Sequence, residues 1–356
     1  MKKYLSILLC LFFLTACNTE KEVLDDITMV RSLGFDKYSQ KANISGTILY
    51  PIYIDEQTFK MKDLTAAGET AKEVRAELNE MVARPIFVGK LNTVLFSEEI
   101  AKEGIMDTLD MIQRDPGVGR AIYLAITKEN TKEILTVDNN LSNHDGNFYS
   151  SLIKQNEDYS NLPHLNFHNF LYAYFSDCMD PILPFLSRRK DSVKIKGLAL
   201  FQKDKMVGTI DEEHLLPFKT LYQNLNEGSY QFTSKKYKGN LEILKSKVRY
   251  DIRSKPHHHV TLNINVKGRL TEYTKVNAGD PKVIKGIERN IEKKLNRDGQ
   301  KLIAKFQKLN IDPIGVGEHV RSRTRAFDQK GWKNNYQDLD IKVKYNVTIT
   351  ESGISQ

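Results

Sequence analysis

Apolar and polar positions recur along this chain with two periods, one helical and one of strands, and the balance between them shifts from the N-terminal half to the C-terminal half. Segments 27–30 and 42–50 read as strands around the turn-rich 36–41. Ala67, Ala71, Val74, Leu78 and Met81 then follow at steps of four and three, which predicts one face of a helix that Pro85 stops. Short apolar runs at 86–88 and 94–96 predict strands. Ser97 is placed to cap a second helix, with Glu98 and Glu99 in its first turn and Ile105, Leu109 and Ile112 on its buried face. Segment 121–126 is a further strand, and Phe167, Phe170, Leu171, Tyr174 and Phe175 form an aromatic helical stripe of core type. Strands alternating with helices predict a mixed-sheet α/β unit.

The stretch 180–192 combines two prolines with a basic run and reads as a domain boundary at about 190. Beyond it, 198–201 and 206–210 predict a hairpin. Val248, Tyr250 and Ile252, then Val260, Leu262, Ile264 and Val266, then Leu339 to Ile349 alternate with polar residues at period two. That pattern predicts a sheet with one wet face, typically antiparallel. Between those strands Ile284, Ile287, Ile291, Leu295, Leu302, Phe306 and Leu309 hold one stripe of a long helix, with Pro281 at its start. The predicted fold class is therefore α+β and multidomain. Residues 17–190 form a mixed α/β domain, and 191–356 a long helix packed on a mostly antiparallel sheet.

Composition narrows the function. The 356 residues carry 53 Lys and Arg against 45 Asp and Glu, a formal charge of +8, with 40% hydrophobic residues. This is a folding, water-compatible body too long for one ordinary core. Three cysteines, two of them within the first seventeen residues, argue against a disulfide framework. The lysines lie opposite apolar stripes without interleaved aromatics, so nucleic-acid binding is not expected.

The first seventeen residues, MKKYLSILLCLFFLTAC, have the plan of a secretory signal: two lysines, an uncharged run too short to be a comfortable membrane span, then small residues and cysteine. The junction Leu14-Thr15-Ala16-Cys17 resembles the bacterial lipoprotein box. In that family the cysteine thiol receives a diacylglycerol, the preceding bond is cut and the new amino terminus is acylated. The expectation is a signal peptide at 1–16 and a lipid anchor at Cys17. A diacyl anchor holds a protein stably where a single chain does not.

Other chemistry is hard to find. His257-His258-His259 alternate in direction on a strand and have no acidic or thiol partner at ligand spacing. Glu318-His319 lacks the second histidine of a zinc helix, and Gly315-Val316-Gly317 and Gly117-Val118-Gly119 are too short for phosphate loops. Cys178 has no basic neighbour to favour a thiolate. Asp25-Asp26, Glu98-Glu99 and Glu212-Glu213 stand at element starts, where dipole and solvent explain them. No catalytic residue, metal site or cofactor is expected.

Across its length the chain resembles the Ger(x)C family, the lipoprotein C subunits of spore germinant receptors. The likeness rests on segments 84–91 and 95–101, on Arg114-Asp115 and on 180–184. It continues through 196–201, Val207-Gly208, 284–288, 312–318 and Trp332. The resemblance implies a non-enzymatic receptor subunit that assembles with two integral-membrane subunits, of A and B type, at the outer face of the spore's inner membrane. It also implies a three-domain mixed fold, which would divide the second part near residue 225. The alternative is the solute-binding lipoprotein of an importer, which would show two similar α/β lobes around a cleft.

Overall fold

The computed structural model describes residues 27–352 apart from 39–42, 55–57, 142–145, 235–236, 254–258, 274–279 and 326. The signal segment, the lipobox residues Leu14, Thr15, Ala16 and Cys17, and His257 and His258 lie outside the described residues.

The first sheet has eight strands. β1 (Thr28–Met29) stands apart and leads into β2 (Ser32–Lys37), β3 (Ile44–Tyr53) and β4 (Phe59–Gly68). Helix α1 (Ala71–Glu80) follows, then β5 (Ile86–Phe87), which pairs with β1, and β6 (Thr93–Ser97). Helices α2 (Glu98–Glu103) and α3 (Met106–Arg114) cross to β7 (Tyr123–Thr127). Helices α4 (Thr131–Leu141), α5 (Phe148–Tyr159) and α6 (Phe167–Phe175) cross to β8 (Ile182–Arg189). The hairpin β9 (Ser192–Gln202) and β10 (Lys205–Asp211) completes the order β10-β9-β8-β7-β6-β2-β3-β4. Its middle, from β2 through β6 and β7 to β8, is parallel and its flanks are antiparallel. β6 is buried along its whole length because helices cover both faces, which is why it reads as an unbroken apolar run.

Several expectations are corrected. Ala67 belongs to the edge strand β4, which the periodicity does not reveal. The helix starts only after Thr70, whose side chain accepts from the Glu73 amide at 3.2 Å. The single helix expected after Ser97 is two, broken at Gly104 where φ is +128°. Asp36 and Lys37 end strand β2 instead of opening a turn. Residue 190, where the sequence reading divides the chain, lies in the turn between β8 and β9, and the sheet these two strands share runs on to Asp211.

Helix α7 (Leu215–Tyr222) then leads to a second sheet, β11 (Gly228–Thr233), β12 (Lys238–Arg253), β13 (His259–Tyr273) and β14 (Asp340–Ser352). The long helix α8 (Pro281–Leu309) and the short α9 (Val316–Arg321) and α10 (Gln329–Asn335) lie between β13 and β14. That crossover makes β13 and β14 parallel, so the sheet is mixed; its other pairings are antiparallel. One apolar cluster runs from Leu49 and Leu95 through Leu186 and Phe218 to Phe306 and Val343, so the two sheets share a core. A second, holding Phe35, Phe96, Leu109 and Phe170, covers the other face of the first sheet.

The outer edge of β14 is closed by α8. The amides of Ile349, Val347, Tyr345 and Val343 donate to Glu288, Glu292, Asn296 and Gln300 at 2.8, 2.9, 3.0 and 3.2 Å. Four helical residues rise about 6 Å and two strand residues about 6.6 Å, so one acceptor per helical turn keeps step with every second amide of an antiparallel neighbour. Replacing Glu292 and Asn296 together by leucine leaves two strand amides unpaired and is expected to cost about 1–3 kcal/mol per amide. Chemical denaturation measures this, with the exposed Lys293→Leu expected within about 0.5 kcal/mol of wild type.

Candidate functional site

The most densely built polar site lies where the C-terminal end of α8 meets the start of β8. Helix α8 ends at Asn310, a left-handed cap with φ 53° and ψ 48°, and hands the chain to Asp312. Asp312 is buried, and its carboxylate accepts from the amides of Val316 at 3.0 Å and Gly317 at 2.7 Å, at the head of α9. Its own amide donates to the Asp180 carboxylate at 2.8 Å, and the Asp180 amide donates back to the Asp312 carbonyl at 3.1 Å. Two Asp-Pro dipeptides, 132 residues apart in the chain, thus hold each other through main chain and side chain. Gly317 is needed for close approach, since a Cβ there would lie 2.6 Å from Trp332 Nε1 and 3.0 Å from Cys178 Cβ.

Around this pair, Lys203 stands in the β9–β10 turn with φ 58°. Its ammonium donates to the Tyr174 and Ser176 carbonyls at 3.0 and 2.8 Å, a cation at the C-terminal end of α6 where the helix dipole favours one. The Ser176 hydroxyl donates to Glu318 at 2.6 Å, and Arg321 grips the other Glu318 oxygen at 2.6 Å. A groove of 440 Å³ runs beside them between Arg120, His168, Tyr172, Phe175 and Glu318.

The electrostatics are those of a structural joint. Burial pushes Asp312 up to about 7 against the pull of the amides that bind its carboxylate, and burial also raises Asp180. Burial raises the Cys178 thiol to about 11, which keeps it protonated and unreactive. His319 stacks on Tyr250 with ring centroids 3.8 Å apart and faces no second ligand. His259 is bound to Asp340 at 2.9 Å. Gly315, with φ +65°, precedes α9 as a turn residue. Among the described residues no group of three or more His, Cys, Asp or Glu side chains is placed to hold a metal. Sequence reasoning makes 180–192 a boundary and Gly315-Val316-Gly317 a turn, and so misses the Asp180–Asp312 pair. The available signal is an aspartate four and five residues ahead of the amides it caps.

A second buried polar cluster lies at α5 and α7. The Lys219 ammonium donates to the Glu157 and Ser160 carbonyls at 2.8 and 2.9 Å, while Glu157 accepts from the Leu165 amide at 2.6 Å. Burial lowers Lys219 to about 8 and raises Glu157. Its carbonyl partners tie the helices of the first sheet to the element that leads into the second.

These features define a class: a two-sheet α/β body with a continuous core, a polar seam between its parts and no assembled catalytic group among the described residues. Comparison with known proteins places it further. A family model described as the spore germination protein N-terminal domain matches residues 20–188, and one described as spore germination B3/GerAC-like, C-terminal, matches residues 196–353. The chain is 31% identical to spore germination protein GerQC of Bacillus cereus, covering all of both proteins. It is 23% identical to the putative spore germination protein YfkR of Bacillus subtilis (strain 168), covering 99% of this chain and 97% of that one. The crystal structure of the GerBC protein superposes with a TM-score of 0.59 at 17% identity, over 89% of this chain and 96% of the other. The chain belongs to the Ger(x)C family of spore germination proteins. The two family models meet between 188 and 196, at the β8–β9 turn, although the sheet runs on across it.

The seam predicts a pH dependence. Asp312 keeps its proton in the folded protein up to about 7, while in the unfolded chain it loses it near 4. The folded state therefore binds more protons in that window, and its contribution to stability falls as pH rises from about 4 to 7, by at most about 1.4 kcal/mol per unit. Urea denaturation at pH 5 and pH 8 is expected to show this fall in wild type and a flatter profile in Asp312→Asn.

Proposed function

We propose that this protein is the lipid-anchored, non-enzymatic C-type subunit of a nutrient germinant receptor, held at the outer face of the spore's inner membrane through Cys17. The observation that carries the reading is the end-to-end match to GerQC, with both family models in order, on a chain that opens with the lipobox Leu14-Thr15-Ala16-Cys17. No helix of the described residues is long and apolar enough to cross a membrane. In this reading the diacylglycerol thioether and N-acyl group at Cys17 hold the body to the bilayer. In this reading the protein binds partners, the integral-membrane A-type and B-type subunits, and turns nothing over. A buried thiol raised to about 11 and carboxylates committed to amides support a scaffold more than an enzyme. The importer reading expects two similar lobes, whereas the sheets here have eight and four strands in unlike orders.

Cys17→Ala is expected to move the protein from the membrane to the soluble fraction of spores and to abolish germination triggered by nutrients, with unchanged circular dichroism. Full membrane retention of this variant would overturn the anchor. Detergent-solubilised receptor captured through a tag on this chain is expected to carry two integral-membrane proteins, identified by mass spectrometry. Their absence, with complexes otherwise intact, would return the importer reading.

A further inference from the structure

Among the described residues, the end of the β3–β4 hairpin is apolar and uncovered. Ile52, Tyr53 and Ile54 are 43%, 56% and 68% exposed, and Met81, just past α1, is 55% exposed. Four of the large hydrophobic side chains that face solvent thus belong to one end of the N-terminal sheet. A patch of this kind marks an interaction surface, whereas the same residues scattered singly would need no account.

The chain's own N-terminus shows what covers it. Ser32 is opposite Leu49 in the antiparallel β2–β3 pair, and the Arg31 amide donates to the Leu49 carbonyl. Reading backwards from Ser32 through β1 therefore runs towards Ile52 and Tyr53. β1 pairs with β5, and the Ile86 amide donates to Asn79 in the last turn of α1 at 2.9 Å, which brings Met81 to the same end. Cys17 precedes Ile27 by ten residues, a span of about 35 Å at full extension. The tether leaves from the apolar end, so that end is held nearest whatever holds Cys17.

Charge agrees with this orientation. Lys60 is opposite Ile52 in the β3–β4 register, Lys62 is opposite Tyr50, and both are exposed, as is Arg84. Cations beside an apolar tip suit anionic headgroups around a shallow apolar contact.

We propose that the β3–β4 hairpin end, Ile52-Tyr53-Ile54 with Met81, rests on the lipid surface of the bilayer that carries the Cys17 anchor, as a second attachment that orients the protein. This rests on the lipoprotein reading above and goes beyond it by assigning a membrane-facing surface.

The test uses the full lipidated chain purified from cells and reconstituted in vesicles of phosphatidylglycerol and phosphatidylethanolamine, with and without brominated acyl chains. Tyr53→Trp reports the hairpin end. Tyr38→Trp, at a position 50% exposed beyond the other end of β2, reports the far end of a sheet whose strand β3 alone spans about 30 Å. Buried Trp332 is common to both. Bromolipid is expected to quench the introduced indole of the Tyr53→Trp chain and to spare that of the Tyr38→Trp chain. An Ile52→Ser, Ile54→Ser change added to the Tyr53→Trp chain is expected to lower the ratio of lipid-bound to free hairpin about tenfold. Equal quenching of both reporters, or none at position 53 while the protein floats with the vesicles, would overturn the proposal and leave the patch to a partner subunit. Flotation and the mass of the acylated N-terminal peptide report the anchor separately, so its failure is read independently of the hairpin.

Discussion

A strand at the edge of a sheet presents a row of unpaired amides, and in β14 those amides are met by one helix. Glu288, Glu292, Asn296 and Gln300 supply acceptors along one line of α8 while Ile287, Ile291, Leu295 and Leu302 supply its buried line. The helix thereby covers both the face and the edge of the second sheet. A bare edge invites pairing with another chain, and this arrangement removes the template at the cost of fixing the helix in register. That fixing matters downstream, because the residue three past the helix is Asp312, whose carboxylate and amide are both committed to the seam. A slip of α8 by one turn would displace Asp312 by about 5.4 Å from its place beside Asp180.

The seam and the shared core act together. Burying two neighbouring carboxyl groups is unfavourable unless they are protonated or their oxygens are met, and here amides from Val316, Gly317 and Asp312 itself meet them. Removing either partner would leave a buried polar group with part of its complement missing, so the pair specifies a single docking of the C-terminal part on β8. The apolar cluster that passes from Leu95 to Phe306 adds the non-directional part of the attachment. The family-model boundary near 190 and the sheet boundary at 211 differ for this reason. A sequence unit can end at a turn, whereas a sheet ends where its ladder of hydrogen bonds stops, and here the core crosses both boundaries.

Much of this was legible in the chain. The strict alternation from Leu339 to Ile349 marked β14, and the stripe from Ile284 to Leu309 marked α8 nearly to the residue. Edge strand β4 was not legible because Ala66 and Ala67 suit either period, and their spacing to Ala71 and Val74 completed a helical pattern across a cap at Thr70. The acceptor line on α8 was invisible for a different reason. A polar stripe that bonds a strand edge and one that faces water contain the same residue types, and only the strand's position separates them. Asp180 and Asp312 were hidden in the same way, since an aspartate before proline is first read as a turn. Of the chemistry, the proposed lipobox is a signal of adjacent residues, Leu14 to Cys17, and rests on the sequence alone. Joints such as the Asp pair or the Lys219 cluster depend on residues far apart in the chain.

The geometry also bears on how a tethered body could act as a receptor part. A lipid anchor at Cys17 alone would hold one point of the body and leave its orientation open. A protein whose parts rocked on each other would then present a blurred surface to its partners. Here the parts share a core and a buried polar joint, so orienting any one end orients the whole. An apolar hairpin end beside the tether would convert loose attachment into a defined stance on the bilayer. The joint around Asp180 and Asp312, with the groove between Tyr172, Phe175 and Glu318 beside it, would then be held at a set angle to the membrane plane. If the hairpin end rests on lipid as proposed, rigidity between the sheets is what would let that small contact fix the direction of every other surface.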